Sequence, residues 1–301
     1  MSSNNVEMLI NIVKIFLNNE SSITRDVINS HIEKQCGNPP FNMLTEGDKE
    51  QALKSLLSVY SVWMNQKPTV LSDNKDHIEW LDDNRKKIDF AFWDRYQAYL
   101  EKSKNLPYKV ISSIDKTTDT VLKYLEDPNR KGEWDRRGMV VGEVQSGKTS
   151  NYTGLICKAV DSGYKLIIVL AGMHNNLRSQ TQLRIDEGFC GRDTRINQNE
   201  DVISNRFGAG LLKEFSVGRF GSMTNSLEKG DFNINIARSI NFDLGGDPVI
   251  LVVKKNASVL KSLINWLKNK VKAEVGDKQI NNIPLLVIDD EADNASVNGK
   301  A

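Results

Sequence analysis

Gly142, Glu143, Val144, Gln145, Ser146, Gly147, Lys148 and Thr149 spell G-x-x-x-x-G-K-T. A glycine-rich turn of this kind frees consecutive backbone N–H groups to wrap phosphate oxygens at a helix N-terminus, where the partial positive charge also favours an anion. In that pattern Lys148 reaches the β- and γ-phosphates and Thr149 offers its hydroxyl to Mg²⁺. Far downstream, Leu285-Leu286-Val287-Ile288 runs into Asp289-Asp290-Glu291-Ala292-Asp293. An apolar strand ending in acids places carboxylates at the carboxyl edge of a parallel sheet, which is where ligands bind in open α/β folds. Asp290 is the residue expected to hold Mg²⁺, largely through water, with Asp289 able to share that role. Glu291 is expected to orient or deprotonate the attacking water, and Lys148 to assist catalysis at the phosphates. Together the two motifs predict binding of ATP with Mg²⁺ and nucleoside triphosphate hydrolysis.

These residues need a parallel sheet to hold them. Met139-Val140-Val141 before the phosphate loop reads as a short buried strand, followed by a helix to about Val160. Residues 165–170 form a near-continuous apolar run typical of a strand covered on both faces. A helix through Leu177, Gln180 and Leu183, a strand over 248–253, a helix marked by Leu260, Leu263, Ile264 and Leu267, and the strand at 285–288 complete the alternation. Repeated β-α units imply a mostly parallel three-layer α/β fold. Residues 191–247 are polar and glycine-rich, long enough to predict an inserted subdomain or mobile flap.

Upstream, the pattern is helical. Val6, Leu9, Ile10, Val13, Phe16 and Leu17 share one helical face, and a second helix with Val27, Ile28 and Ile32 inward is expected to start at a Ser21 or Ser22 cap. Cys36-Gly37-Asn38-Pro39-Pro40 ends it. Two short helices invite a helix-turn-helix reading, but Asn18-Asn19-Glu20 and Asp26 fit a plain helical bundle better than a DNA-facing surface. Further helices are expected over 51–60 and from Val110 to Leu125, and Trp63, Trp80, Trp93, Tyr96 and Tyr99 read as core. In the connector before the first strand, Trp134 could stack on a base and Arg136 or Arg137 touch phosphate; a solvated connector explains them equally well. The division expected is an α-helical N-terminal domain over 1–106 and an α/β nucleotide-binding lobe over 107–301, the latter carrying the 191–247 insertion.

Composition narrows the class. Lys+Arg number 40 against Asp+Glu 39, so no global basic field marks the chain as a nucleic-acid binder. Cys36, Cys157 and Cys190 are widely separated, which argues against a zinc site or a disulfide framework. The N-terminus lacks a signal peptide and the apolar stretches are broken by polar residues, so a cytoplasmic protein without a membrane partner is expected.

Asp290-Glu291-Ala292-Asp293 is the D-E-A-D form of superfamily 2 helicases, and residues 142–149 look like their first motif. The longer strings G-E-V-Q-S-G-K-T-S-N-Y-T-G-L, A-G-M-H-N-N-L-R-S-Q-T-Q-L-R and V-I-D-D-E-A-D-N-A-S more specifically resemble bacterial superfamily 2 helicase-like proteins that carry an endonuclease Z-one domain. That family is associated with antiphage and restriction-like gene clusters. The resemblance spans roughly residues 93–296. It implies a RecA-like P-loop NTPase lobe that couples ATP hydrolysis to movement on nucleic acid, DNA rather than RNA, with defence-system proteins as partners. Arg178, Gln180, Thr181 and Arg184 occupy the place where such proteins touch a nucleic-acid backbone. The family also has a second lobe with arginine fingers and a downstream nuclease domain, and the sequence ends at Ala301 before either. An N-terminal part, binding ATP better than it hydrolyses it, is therefore expected. Two other functions fit the motifs: an ATP-gated switch or scaffold that moves no strand, and RNA remodelling, although no glutamine motif lies upstream.

Overall fold

The computed structural model describes residues 2–20, 23–64, 71–72, 76–140, 148–195, 205–239, 246–275, 283–290 and 292. The chain opens with helices α1 (Ser2–Leu17), α2 (Arg25–Cys36) and α3 (Glu46–Met64). Val6, Leu9, Val13 and Leu17 are buried, as their spacing requires, whereas Phe16 is largely exposed and stacks on His31 with ring centroids 5.9 Å apart. The cap of α2 is Thr24, whose hydroxyl accepts from Val27 N at 3.3 Å; the expected Ser21 and Ser22 lie outside the described residues.

After a short strand β1 (Leu71–Ser72) and the single turn α4 (Leu81–Asn84) come α5 (Ala91–Lys102) and α6 (Tyr108–Tyr124). Trp80, Trp93, Tyr96 and Tyr99 are all buried, so these aromatics build the core. The amide N–H groups at the start of α5 have no cap of their own. Asp161, at the far end of a later helix, accepts from Phe92 N and Trp93 N, both at 3.0 Å. Gly154 lets that helix come close: a Cβ there would meet Trp93 Cζ3 at 2.9 Å.

Strand β2 (Gly138–Met139) departs from the expected arrangement. It pairs antiparallel with β1 in a two-stranded ribbon, outside the main sheet. Met139 and Val140 are more than half exposed, and Val141 lies outside the described residues. Three apolar residues carry too little periodicity to distinguish a covered strand from an exposed ribbon.

From α7 (Lys148–Ser162) the α/β alternation holds. It runs β3 (Leu166–Ala171), α8 (Asn175–Ile185), a π-turn over 186–190, β4 (Gly221–Ser222), α9 (Ile234–Ser239), β5 (Val249–Val253), α10 (Ala257–Val275) and β6 (Leu285–Asp290). The four-stranded sheet has the order β4-β5-β3-β6, and every pair is parallel. Strand alternation sends Ile167, Val169, Ile250, Val252 and Leu286 to the face shared with α7, and Leu166, Ile168, Val249, Leu251 and Val253 to the face shared with Leu263 and Trp266 of α10. The result is a helix–sheet–helix α/β architecture. The first of these cores runs without interruption from Val6 to Leu286, so the N-terminal helices and the sheet share it across residue 106.

The described part of the polar stretch folds back onto this body and forms no separate subdomain. β4 extends the sheet, Phe220 packs edge-on to Phe92, and Met223 and Phe232 join the α10-side core. A few large apolar residues spaced among glycines were enough to anchor it, too sparse to show a period. No helix among the described residues is long and apolar enough to cross a membrane.

Candidate functional site

The carboxyl ends of β3, β5 and β6 converge where α7 begins. Residues 142–147 of the loop and Glu291 lie outside the described residues. Lys148, Thr149, Asp289 and Asp290 are described.

Adjacent residues on a strand face opposite sides, and this separates the two aspartates. Asp290 is in register with Ala171, on the α7 face, where its Oδ2 accepts from the Tyr152 hydroxyl at 3.3 Å. Asp289, in register with Leu170, points to the other face and pairs with Lys255 Nζ at 2.6 Å. Lys255 is 6% exposed, so this carboxylate compensates a nearly buried ammonium. Asp289 is thereby corrected from a shared metal ligand to the counter-ion of Lys255.

Tyr152 ties the pieces together. It follows Lys148 by four residues, and its hydroxyl engages Thr149 and Thr181 as well as Asp290. Burial, followed by the Asp290 charge, pushes the phenol up to about 12, so it stays protonated and donates. Its place one turn after Lys148 was a readable sign that it shares a face with the loop's lysine. Lys255 was also legible as a cation directly after an apolar strand.

The four residues expected to touch nucleic acid divide sharply. Arg178 is completely buried. Its guanidinium donates to Asn225 O at 2.9 Å, to Gly230 O at 3.4 Å and to Leu227 O, closing the turn at 225–230. Arg178 is therefore corrected from a backbone contact to a clasp inside the fold. Thr181 is also buried, beside Tyr152. Gln180 is exposed. Arg184, exposed, donates from Nη1 to Thr149 Oγ1 at 2.9 Å, which places it at the start of α7.

Helix α8 is thus reversed relative to its apolar spacing. Leu177, Gln180 and Leu183 located the helix but face solvent, while Arg178, Gln182 and Ile185 point inward. Polar burial is tolerated because both terminal nitrogens of Arg178 and the Gln182 amide find partners, although Arg178 Nε has none. Gln182 donates to Asp186 at 2.8 Å and accepts from Thr224 at 2.6 Å, and Thr224 in turn accepts from Val252 N at 2.8 Å. Gly172, at φ +46°, makes the sharp turn from β3 into α8, with Leu177 filling the space a Cβ would need.

The connector residues lie elsewhere. Trp134 packs edge-on to Tyr164, just past the C-terminal end of α7. A helix of 15 residues is about 22 Å long, so Trp134 sits a helix length from Lys148, too far to stack on a base whose phosphates are held there. Arg136 Nε donates to buried Glu126 at 3.0 Å, with Arg130 Nη1 at 2.7 Å and His77 Nδ1 at 3.0 Å on the same carboxylate. These residues line a cavity of about 470 Å³, but their charged groups are committed to Glu126. Arg137 forms an exposed pair with Asp135.

The donors at the loop end suit a hard cation. A hydroxyl and a carboxylate oxygen, bridged by one phenol, are what Mg²⁺ uses when phosphate oxygens and water complete its shell. Among the described residues no group of three or more His, Cys, Asp or Glu side chains could hold a metal unaided. The N-terminus of α7 at Lys148 supplies the positive end of a helix dipole for phosphate.

Fold and site together define an α/β protein with a parallel sheet and a phosphate-compatible helix N-terminus at its carboxyl edge. No protein-family model matches this chain, and neither a curated protein nor a solved structure is significantly similar to it.

Proposed function

We propose that this chain is the ATP-binding, RecA-like lobe of a superfamily 2 DNA helicase or translocase-like ATPase acting in antiphage defence in the cytoplasm. The observation that carries the reading is the convergence of Thr149, Tyr152, Arg184 and Asp290 at the start of α7, in a chain whose residues 142–149 have the phosphate-loop pattern. The N-terminus of α7, with the loop whose sequence pattern precedes it, would bind the phosphates, and Lys148 would neutralise their charge. Thr149 and Asp290 would hold Mg²⁺, with Tyr152 fixing the orientation of both oxygens. Mg²⁺, when bound, would supply neutralisation of phosphate charge. Glu291 takes the proton of the attacking water. Gln180 remains available at the surface for a nucleic-acid backbone.

An ATP-gated switch or scaffold is the second reading, and one observation favours it. The solvent face of α8 presents Leu177 and Leu183, with Met173 just before the helix, all well exposed beside the nucleotide site. Apolar residues suit a protein partner better than a phosphate backbone.

Titration with Mg·ATP, with and without single-stranded and duplex DNA, tests the proposal. Binding is expected for the wild-type chain and is expected to be lost in Lys148→Ala at unchanged melting temperature. Equal ATP affinity in a folded Lys148→Ala protein would remove the phosphate-loop assignment. DNA-tightened binding sustains the motor reading; ATP-dependent capture of a protein partner that ignores DNA sustains the switch.

A further inference from the structure

We infer that Arg184 is a second cation of the nucleotide site, a sensor in the same chain that moves from Thr149 to the terminal phosphate when a triphosphate binds. The inference rests on the phosphate-loop reading of Lys148 and Thr149. Arg184 comes from α8, outside the loop motif, and its Nη1 lies 2.9 Å from the hydroxyl assigned to Mg²⁺. A guanidinium and a divalent cation cannot comfortably share one hydroxyl oxygen, because their charges repel at that separation. A cation held at Thr149 would therefore favour an anionic acceptor for the guanidinium.

A phosphate at the N-terminus of α7 would lie within the swing of this long exposed side chain, whose Nη1 is already 2.9 Å from the hydroxyl of the second residue of that helix. Other cations near α8 are committed: Arg178 to the carbonyls of the 225–230 turn, and Lys254 Nζ to Asn175 Oδ1 at 3.0 Å. The helix itself is held on its inner face by Arg178 and Gln182, so only the Arg184 side chain need move. Planar guanidinium donors also match phosphate oxygens better than a hydroxyl. Arg184 would then report the terminal phosphate to the exposed face of α8 on which Leu183 and Gln180 lie.

The test is the ratio of Mg·ATP to Mg·ADP affinity in the full chain, measured by equilibrium titration for wild type, Arg184→Ala, Arg184→Lys and Lys148→Ala. Arg184→Ala is expected to weaken ATP about tenfold, the effect of losing one charge-assisted bond, and ADP less than about threefold. Arg184→Lys, which keeps the charge without the fork, is expected to fall between. Melting temperature is expected to hold because the side chain is exposed. Parallel loss of both nucleotides, or no loss, overturns the sensor role. Weaker DNA binding with an unchanged ATP-to-ADP ratio overturns it as well and returns Arg184 to the nucleic-acid surface. Loss of ATP selectivity in Arg184→Ala alongside normal binding by Lys148→Ala would keep Arg184 as a phosphate contact and remove the loop assignment beneath it. No nucleotide binding by wild type overturns both.

Discussion

The two ends of α7 both gather arginines and carboxylates, yet they are built to different ends. At the C-terminal end, Glu126 is buried and bound by His77, Arg130 and Arg136, while the Tyr164 hydroxyl donates to its backbone carbonyl at 2.7 Å. Burial pushes the Glu126 carboxyl up, but its bonds from His77, Arg136 and Arg130 outweigh that and hold it below the ordinary carboxylate range. Every charge there is answered from within. At the N-terminal end, Lys148 and Arg184 are exposed, and among the described residues Asp290 accepts from the Tyr152 phenol at 3.3 Å. A charge cluster closed on itself holds the fold, whereas the proposed site leaves its charges open toward solvent.

Removing the closed cluster's carboxylate should have the largest effect. Glu126→Gln leaves Arg136 and Arg130 partly uncompensated and is expected to cost about 3 kcal/mol or more in stability. Chemical denaturation reads this, and ATP affinity of the folded protein should be unchanged; a matching loss of affinity would erase the distinction between the two ends. Arg178→Ala is expected to cost about 2 kcal/mol, because three turn carbonyls lose their donor. Reduced DNA affinity at full stability would instead put Arg178 back on the surface.

A pH series sharpens the comparison along the helix between. Burial, ahead of the charges of Asp89 and Asp94, pushes Asp161 up to about 7 despite its bonds from Phe92 N and Trp93 N, and burial likewise pushes Asp186 up to about 6. The folded chain then holds protons that the unfolded chain releases near 3.8. These groups therefore contribute stability that is present below that value and lost as pH rises through the folded values. Melting temperatures between pH 4.5 and 7.5 should fall with rising pH, and Asp161→Asn should flatten the slope. An unchanged slope would show that Asp161 is solvated. Tyr152→Phe should have the smallest effect on stability, about 1 kcal/mol, with Mg·ATP affinity falling several-fold. Stability loss without any change in Mg²⁺ dependence would place Tyr152 with the structural residues.

The helices and the sheet were legible because their signals are local. Apolar spacing marked Val6 to Leu17 and Val110 to Leu122, and unbroken runs marked β3 and β5. The proposed roles of Lys148 and Asp290 rest on residue type and spacing, and the structure places Lys148 at the start of α7 and Asp290 at the end of β6. Direction was not. Leu177 and Leu183 marked the helix yet face solvent, because Arg178 and Gln182 find partners 40 or more residues away in sequence.

What the sequence determined alone is the longer helices with clear apolar spacing, the strands β3, β5 and β6, and the residues whose types would suit a phosphate and a metal, since these follow from neighbours in the chain. What only the tertiary structure decided is which partner each charged group takes. Strand register turned Asp290 toward α7 and Asp289 toward Lys255, helix length carried Trp134 and Arg136 away from Lys148, and the seating of α8 placed Arg184 on Thr149. Ion pairs and hydrogen bonds depend on distances of a few ångströms between atoms far apart in sequence, and folding sets those distances.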